Sequence, residues 1–317
     1  MVTWRRNMTA SQRFGAGLIT PQLEEFVNHH WSDEAGAVDG HDIRFLASLL
    51  DEFRPKTVVE IGCASGFSTA ALALMMDQLG PGRLHSFDIA TRFYADPSKL
   101  LGFLLEEVLP LRAVNVALHP GKTSLDVAAV LQGARIDLCF IDACHAHPWP
   151  TLDTLAVLPL MAPGGLIVHH DLRMYQDTRP GYYACGPKTV LDQVPPRHRV
   201  WFSSRAGGAA ATASSNLKSR PFGGGNIFGI KLPETPSRLA RDLAQGFYLP
   251  WDPLPDAGVP DQVRQRFSEH LAASFARHIG EAFDRGVERY NPAGAARRSR
   301  LPGRLASGLA AGWRNAP

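Results

Sequence analysis

The pattern of apolar and polar positions changes character twice along the chain. Between residues 57 and 232, short runs of β-branched and aromatic residues alternate with longer stretches whose apolar residues recur every three or four positions. The runs predict strands over 57–61, 83–89, 115–119, 136–142 and 166–170, with helices over 67–79, 97–109, 124–131 and 149–160 between them. Such repetition implies an α/β fold, a doubly wound, mostly parallel sheet with helices on both faces joined by right-handed crossovers. A helix over 187–194 and strands over 200–203 and 227–232 complete this part. Upstream, helices are predicted over 21–31 and 41–53. The second lines up Ile43, Leu46, Ala47, Leu49, Leu50 and Phe53, with Asp39 or Gly40 near its start and Pro55 beyond its end. Beyond Pro233 the alternation stops, and helices are predicted over 236–246 and 261–290. The latter carries Val263, Phe267, Leu271, Phe275, Ile279, Phe283 and Val287 at steps of four. Such a stripe needs a partner, either its own sheet domain or a second copy of the chain. The chain thus divides into a tail with cover helices (1–54), a sheet domain (55–232), a helical extension (233–290) and a tail expected to be disordered (291–317).

The sheet domain is organised around TVVEIGCASGFSTA, residues 57–70. A buried strand ends in Glu60, small residues at Gly62, Ala64 and Gly66 make a tight turn, and a helix starts at Phe67. The missing side chains let a ligand approach the backbone, and unpaired N–H groups at the helix start are expected to face it. The dinucleotide fingerprint G-x-G-x-x-G is absent, because Phe67 stands where its third glycine belongs. That argues against a nicotinamide cofactor.

In an open parallel sheet the ligand crevice lies at the carboxyl ends of the strands. The second strand ends in Asp88, which either accepts from a ligand or merely caps the next helix. The third ends at His119-Pro120-Gly121-Lys122-Thr123-Ser124, where Thr123 or Ser124 is also a fitting helix cap. The fourth, LCFIDACHAHPW, brings Asp142, His145 and His147, and the fifth, GGLIVHHDL, brings His169, His170 and Asp171. Neighbouring strands lie ~4.8 Å apart, so Asp142 and the His170-Asp171 pair are close enough to share one ion. Carboxylates with one imidazole suit a hard or borderline divalent cation. Trp149, Tyr182 and Tyr183 either line an aromatic acceptor pocket or belong to the core.

The segment E-I-G-C-A-S-G-F-S-T resembles the first motif of class I S-adenosylmethionine (SAM) methyltransferases, especially the small-molecule O-methyltransferases. The resemblance implies a seven-stranded Rossmann-like sheet, closed by an antiparallel hairpin from 200–203 and 227–232, and SAM as cofactor. Carried over, SAM meets Glu60, Gly62, Ala64, Ser65, Gly66 and Ser68 at the first turn, and Asp88 at its ribose hydroxyls. Gly121, Lys122 and Thr123 then lie toward the adenine, with Asp142 nearby. F-I-D and the pair after the P-G-G strand resemble the metal-dependent O-methyltransferases, both the catechol type and those acting on antibiotics and their sugars. In that likeness Asp142, His170 and Asp171 match the magnesium ligands and His145 the catalytic base. His170 departs from the family, which commonly has a carboxylate there. Imidazole is a poor magnesium ligand, which leaves open manganese, iron or zinc, or loss of the metal. The implied activity is methylation of a hydroxyl on a small metabolite, within a biosynthetic pathway. The alternatives are a metal-independent or N-directed methyltransferase, and a non-catalytic SAM-binding partner whose long helix docks another protein.

Composition changes this picture little. At 317 residues and 45% hydrophobic the chain can bury a full α/β core and an extra lobe. The net charge of +3 owes much to Arg297, Arg298, Arg300, Arg304 and Arg314, a basic tail on a nearly neutral body and not a nucleic-acid surface. Four cysteines without zinc or disulfide spacing fit reduced thiols in a cytoplasmic protein. No leader-like or membrane-spanning run is read, and self-association through the terminal helices remains open. Residues 206–226 read as a loop, either a lid or disordered. Its FGGGN end lacks the Lys-Ser/Thr of a phosphate loop.

Overall fold

The computed structural model describes residues 16–32, 38–177, 184–201, 216–220, 225–252 and 273–290. Seven strands make one sheet: β1 (Thr57–Ile61), β2 (Gly82–Asp88), β3 (Val114–Pro120), β4 (Ile136–Ile141), β5 (Met161–His169), β6 (Arg199–Val200) and β7 (Phe228–Lys231). Their order is β3-β2-β1-β4-β5-β7-β6. The first five run parallel, and β7 is antiparallel to both β5 and β6. The order reverses between β1 and β4, where connections leave toward opposite sides and a crevice opens beyond the strand ends. Register brings those ends level: Ile61 pairs with Ile141, and Ile141 with His169. Gly62, Asp142 and His170 are therefore the first residues past the edge on three neighbouring strands.

Alternate strand residues feed two cores, as a period of two requires. Val58, Leu84, Leu138, Phe140, Leu166 and Val168 meet the helices α1 (Pro21–His30), α2 (Gly40–Phe53) and α3 (Phe67–Leu79). Val59, Ile61, Cys139, Ile141, Ile167 and Ile230 meet α5 (Trp149–Val157), α6 (Gly186–Gln193), α7 (Ser237–Ala244) and α8 (Ala273–Tyr290), with α4 (Val127–Leu131) at one side. Asp39 caps α2 by accepting from the N–H of His41 at 2.7 Å and of Asp42 at 3.3 Å.

Two predicted elements differ most. Residues 97–109 do not form one helix; a loop runs to Gly102, followed by a short 3-10 helix, Phe103–Val108. Gly102 has a φ of +71°, its N–H bonds the carbonyl of Ala64 at 2.9 Å, and the N–H of Leu104 bonds that of Ser65 at 3.0 Å. Tertiary bonds to the first turn win over the helical spacing of the leucines. Strand β5 starts at Met161 rather than Leu166, because Pro163-Gly164-Gly165 is absorbed as an irregularity with Gly164 at φ +72°.

The described part of the C-terminal stripe finds its partner within the chain, in the preceding segment of the extension (237–251), and joins the core on that side of the sheet. Ile279, Ala282, Phe283 and Val287 are buried, and the Phe283 ring lies 5.4 Å from those of both Phe247 and Trp251. The hydroxyl of Tyr290 donates to the carbonyl of Tyr248 at 2.9 Å. The predicted helix over 261–272, the Phe275 side chain, Tyr182, Tyr183, most of the loop 206–226 and both chain ends lie outside what is described. Among the described residues no helix is long and apolar enough to cross a membrane.

Because Phe283 is fully buried against Phe247 and Trp251, Phe283→Ala is expected to cost about 3–5 kcal/mol in urea unfolding, within one transition shared with the sheet. A separate early transition would show that α8 is independent of the sheet core.

Candidate active site

The first turn is built from beneath. Glu60 is 0% exposed, and its oxygens accept from Ser68 Oγ at 2.6 Å and from the hydroxyls of Thr69 and Ser86. Burial pushes this carboxyl up to about 7, against the pull of the three hydroxyls in the other direction. Glu60 and Ser68, expected to touch a cofactor, thus face each other under the turn and support it. Gly62 has a φ of +99° and lies so close to the backbone of Asp142 that an added Cβ would collide with it. Only glycine lets the β1 and β4 ends approach this closely.

The turn ahead of the helix start has its own N–H groups paired. Asp88 Oδ2 accepts from the N–H of Cys63 at 2.9 Å and of Ala64 at 3.0 Å, and its Oδ1 accepts from Ala90 at 2.8 Å. Asp88 therefore clamps the glycine-rich turn to the end of β2. The reason is reach: β1 and β2 are paired neighbours, and a short carboxylate at the end of one meets the turn of the other. Half-buried Ala64 and Ser65 form the turn's tip, and the Gly66 N–H bonds the Cys63 carbonyl at 2.7 Å. Beyond β3, Gly121 takes a φ of +72° and the Lys122 N–H bonds the Asp88 carbonyl at 3.0 Å. Thr123 caps the following turn reciprocally with Asp126, and Ser124 Oγ donates to Asp153 at 2.6 Å. Thr123 thus serves as a cap.

Past β4 and β5 four predicted residues converge. His170 Nδ1 lies 3.1 Å from Asp142 Oδ1 and 3.5 Å from Asp171 Oδ1, while His145 Nε2 lies 3.0 Å from Asp171 Oδ2 and 3.8 Å from Asp142 Oδ1. Donor atoms of Asp142, His170 and Asp171 all fall within 4.8 Å of one another. Neighbouring donors on an octahedral ion with ~2.1 Å bonds stand roughly 3 Å apart, so the spacing suits a divalent cation. The donor chemistry suits it too. An imidazole nitrogen facing two carboxylate oxygens is stable only with a proton or a cation between them. Burial alone would lower the pKa of His170, but Asp142, Asp171 and Asp42 outweigh it and hold it well above the ordinary histidine value. Burial would raise the pKa of Asp171, yet His170, His145 and the amide of Asn226 hold it down.

The other histidines take structural places. His147 is buried, its Nε2 2.9 Å from the Gly246 carbonyl, and burial lowers its pKa to about 4. His169 Nε2 stands 2.9 Å from Thr154 Oγ1, and burial brings its pKa down to about 3. Trp149 belongs to the core, one of the two places left open for it.

Three residues at the site went unread in the sequence. Asp42 of α2 reaches His170 Nε2 at 3.0 Å. Asn226 donates to Asp171 Oδ1 at 2.8 Å. Tyr94, on the loop after β2, is 60% exposed, and its hydroxyl is pushed up by burial and then by the charges of Asp142 and Asp171. The D-x-x-D cap of Asp39 and Asp42 was a legible helix start, but nothing local marks Asp42 as facing β5.

A mostly parallel seven-stranded sheet with this strand order and a glycine turn at the reversal is a Rossmann-like methyltransferase fold. Residues 59–172 match the family model described as a methyltransferase domain, from within β1 to just past Asp171. No curated protein matches the chain. Among solved structures it is similar to an O-methyltransferase from Bacillus cereus in complex with SAH, 18% identical, covering 71% of this chain and 99% of that one, with a TM-score of 0.43. It is also similar to the O-methyltransferase TomG from Streptomyces achromogenes, involved in tomaymycin synthesis and solved with SAM. That pair is 18% identical, covering 73% and 99% of the two chains, TM-score 0.42. A third is the methyltransferase MycE of the mycinamycin pathway, solved with Mg, SAH and mycinamycin VI: 16% identical, 68% and 55% covered, TM-score 0.40.

Glu60 gives the fold a pH signature. Its folded-state pKa of about 7 exceeds its ordinary 4.5, so its contribution to stability is full below pH 4.5 and is lost as pH rises through 7. Glu60→Gln, which keeps an acceptor without the charge, is expected to flatten the fall in melting temperature across that window. Parallel profiles for the two proteins would refute the assignment.

Proposed function

We propose that this protein is a SAM-dependent O-methyltransferase that moves a methyl group to a hydroxyl of a small metabolite, assisted by a divalent cation and by His145 as general base. The observation that carries the reading is the convergence of Asp142, His145, His170 and Asp171 at the edge where the sheet order reverses, next to the Gly62–Gly66 turn. A protein that merely bound SAM as a scaffold has no use for such a cluster. SAM supplies its own leaving group, so the chain's task is to align, desolvate and deprotonate. A divalent cation held by Asp142, His170 and Asp171 supplies, when bound, positive charge beside the acceptor oxygen.

The residues divide the work. Gly62, Ala64, Ser65 and Gly66 offer a backbone surface to the cofactor, stiffened from below by Glu60 and Ser68. Asp88 and the Gly121–Lys122 edge flank it toward the ribose and adenine. His145, its Nε2–H oriented by Asp171 Oδ2 at 3.0 Å, takes the hydroxyl proton on Nδ1, and the same carboxylate stabilises the imidazolium that forms. The acceptor is a hydroxylated small molecule of a biosynthetic pathway.

A metal-independent transfer is the second reading. One observation favours it: a doubly protonated His170 would put positive charge between the same carboxylates.

His145→Ala is expected to lower turnover at least 100-fold, within the usual range for a general base, while SAM affinity by calorimetry stays within about twofold. Full activity in this variant would remove the base. Metal assistance is read separately, by assay after chelation and re-addition of magnesium, manganese or zinc. Loss and recovery support the first reading, and undiminished activity in chelator supports the second.

A further inference from the structure

We infer that Asp42, on the cover helix α2, is a positioning residue for the cation site. It holds the His170 proton on Nε2 and thereby makes Nδ1 the third donor beside Asp142 and Asp171. The inference rests on the divalent-cation reading above.

Asp42 is only 1% exposed, and its Oδ2 does two things. It accepts from the N–H of Asp39 at 3.1 Å, closing the helix cap, and it stands 3.0 Å from His170 Nε2. Its Oδ1 is buried with no hydrogen-bond partner among the described residues. A capping box needs neither feature. One oxygen on the Asp39 N–H suffices and is met as well at the surface, where the charge stays hydrated. Burying a carboxylate with one oxygen unmatched is tolerated here because the other faces a donor that must be held in one orientation.

The imidazole has two nitrogens and two different sides. Nδ1 faces Asp142 and Asp171, at the crevice edge, whereas Nε2 faces Asp42, inside the contact between α2 and the sheet. A carboxylate at Nε2 favours the tautomer protonated there, which leaves the Nδ1 lone pair pointing between the other two carboxylates. Carboxylate–imidazole pairs act in this way behind metal-bound histidines, orienting the ring and raising its basicity. Asn226 does the same for Asp171 with its 2.8 Å bond to Oδ1. The nitrogen donor also sets a preference. Two carboxylates and a basic imidazole favour a borderline ion such as manganese over magnesium.

The test titrates Mn2+ into the full-length protein, reading free Mn2+ by electron paramagnetic resonance, for the wild type, Asp42→Ala, Asp42→Asn and Asp39→Ala. Asp42→Ala is expected to weaken Mn2+ binding 10–100-fold. Asp42→Asn, which keeps an acceptor oxygen, should recover most of that. Asp39→Ala, which removes the cap's side chain without touching His170, should lower the melting temperature and leave Mn2+ affinity unchanged. Equal affinity in the wild type and Asp42→Ala overturns the role of Asp42 alone. No Mn2+ binding by the wild type overturns the cation reading and this inference with it. Should Asp42→Ala not fold, the 15N spectrum of the wild-type histidines decides. With Zn2+ added, His170 should keep its proton on Nε2 and shift at Nδ1, and the opposite pattern refutes the proposal.

Discussion

A histidine with no exposed surface stands among three carboxylates, and much of the molecule is arranged around that fact. Removing charged groups from water costs several kcal/mol apiece unless each is matched. His170 is matched on both nitrogens by residues from three different elements: Asp142 after β4, Asp171 after β5, and Asp42 on α2. The cluster holds only when the strand register and the docking of α2 agree. A one-residue slip of β5 would send the imidazole to the other face of the sheet.

The same coupling explains how cover helix and crevice act together. Helix α2 buries its apolar side against α3 and the sheet, yet the residue that ends its first turn is a carboxylate bonded to the site. Asp88 makes a parallel connection on the other flank, tying the β1 turn to β2 through two backbone N–H groups. The crevice is thus held by polar clamps at its rim while two apolar cores hold the sheet. The arrangement favours a rigid floor, which a reaction limited by alignment requires.

The two faces of the sheet have different tasks. The face toward α2 and α3 carries the cluster around Asp42 and the turn supported by Glu60. The other face buries the C-terminal extension, with His147 bonded to Gly246 and the Asp252 carboxylate accepting from the His147 N–H at 2.5 Å. His145 and His147, two residues apart, therefore part company: one faces the crevice, its neighbour anchors the extension. Both buried neutral histidines, His147 and His169, carry lowered pKa values for the same reason, the loss of water around the ring.

The sequence by itself determined the sheet, because alternating short apolar runs and helical stretches have few ways to bury themselves. It also determined the residues at the strand ends, because register follows from the runs. Asp142, His145, His170 and Asp171 were readable on that basis, since each stands just past an apolar run. Only the tertiary structure decided that Thr123 caps, that Glu60 lies beneath the turn, and that 97–109 folds back over Ala64 and Ser65. It alone brought in Asp42 and Asn226, which lie 128 and 56 residues from His170. The physical reason is that periodicity reports which side of an element faces apolar matter. Which polar group then meets another across a packed interface depends on how those elements sit against each other.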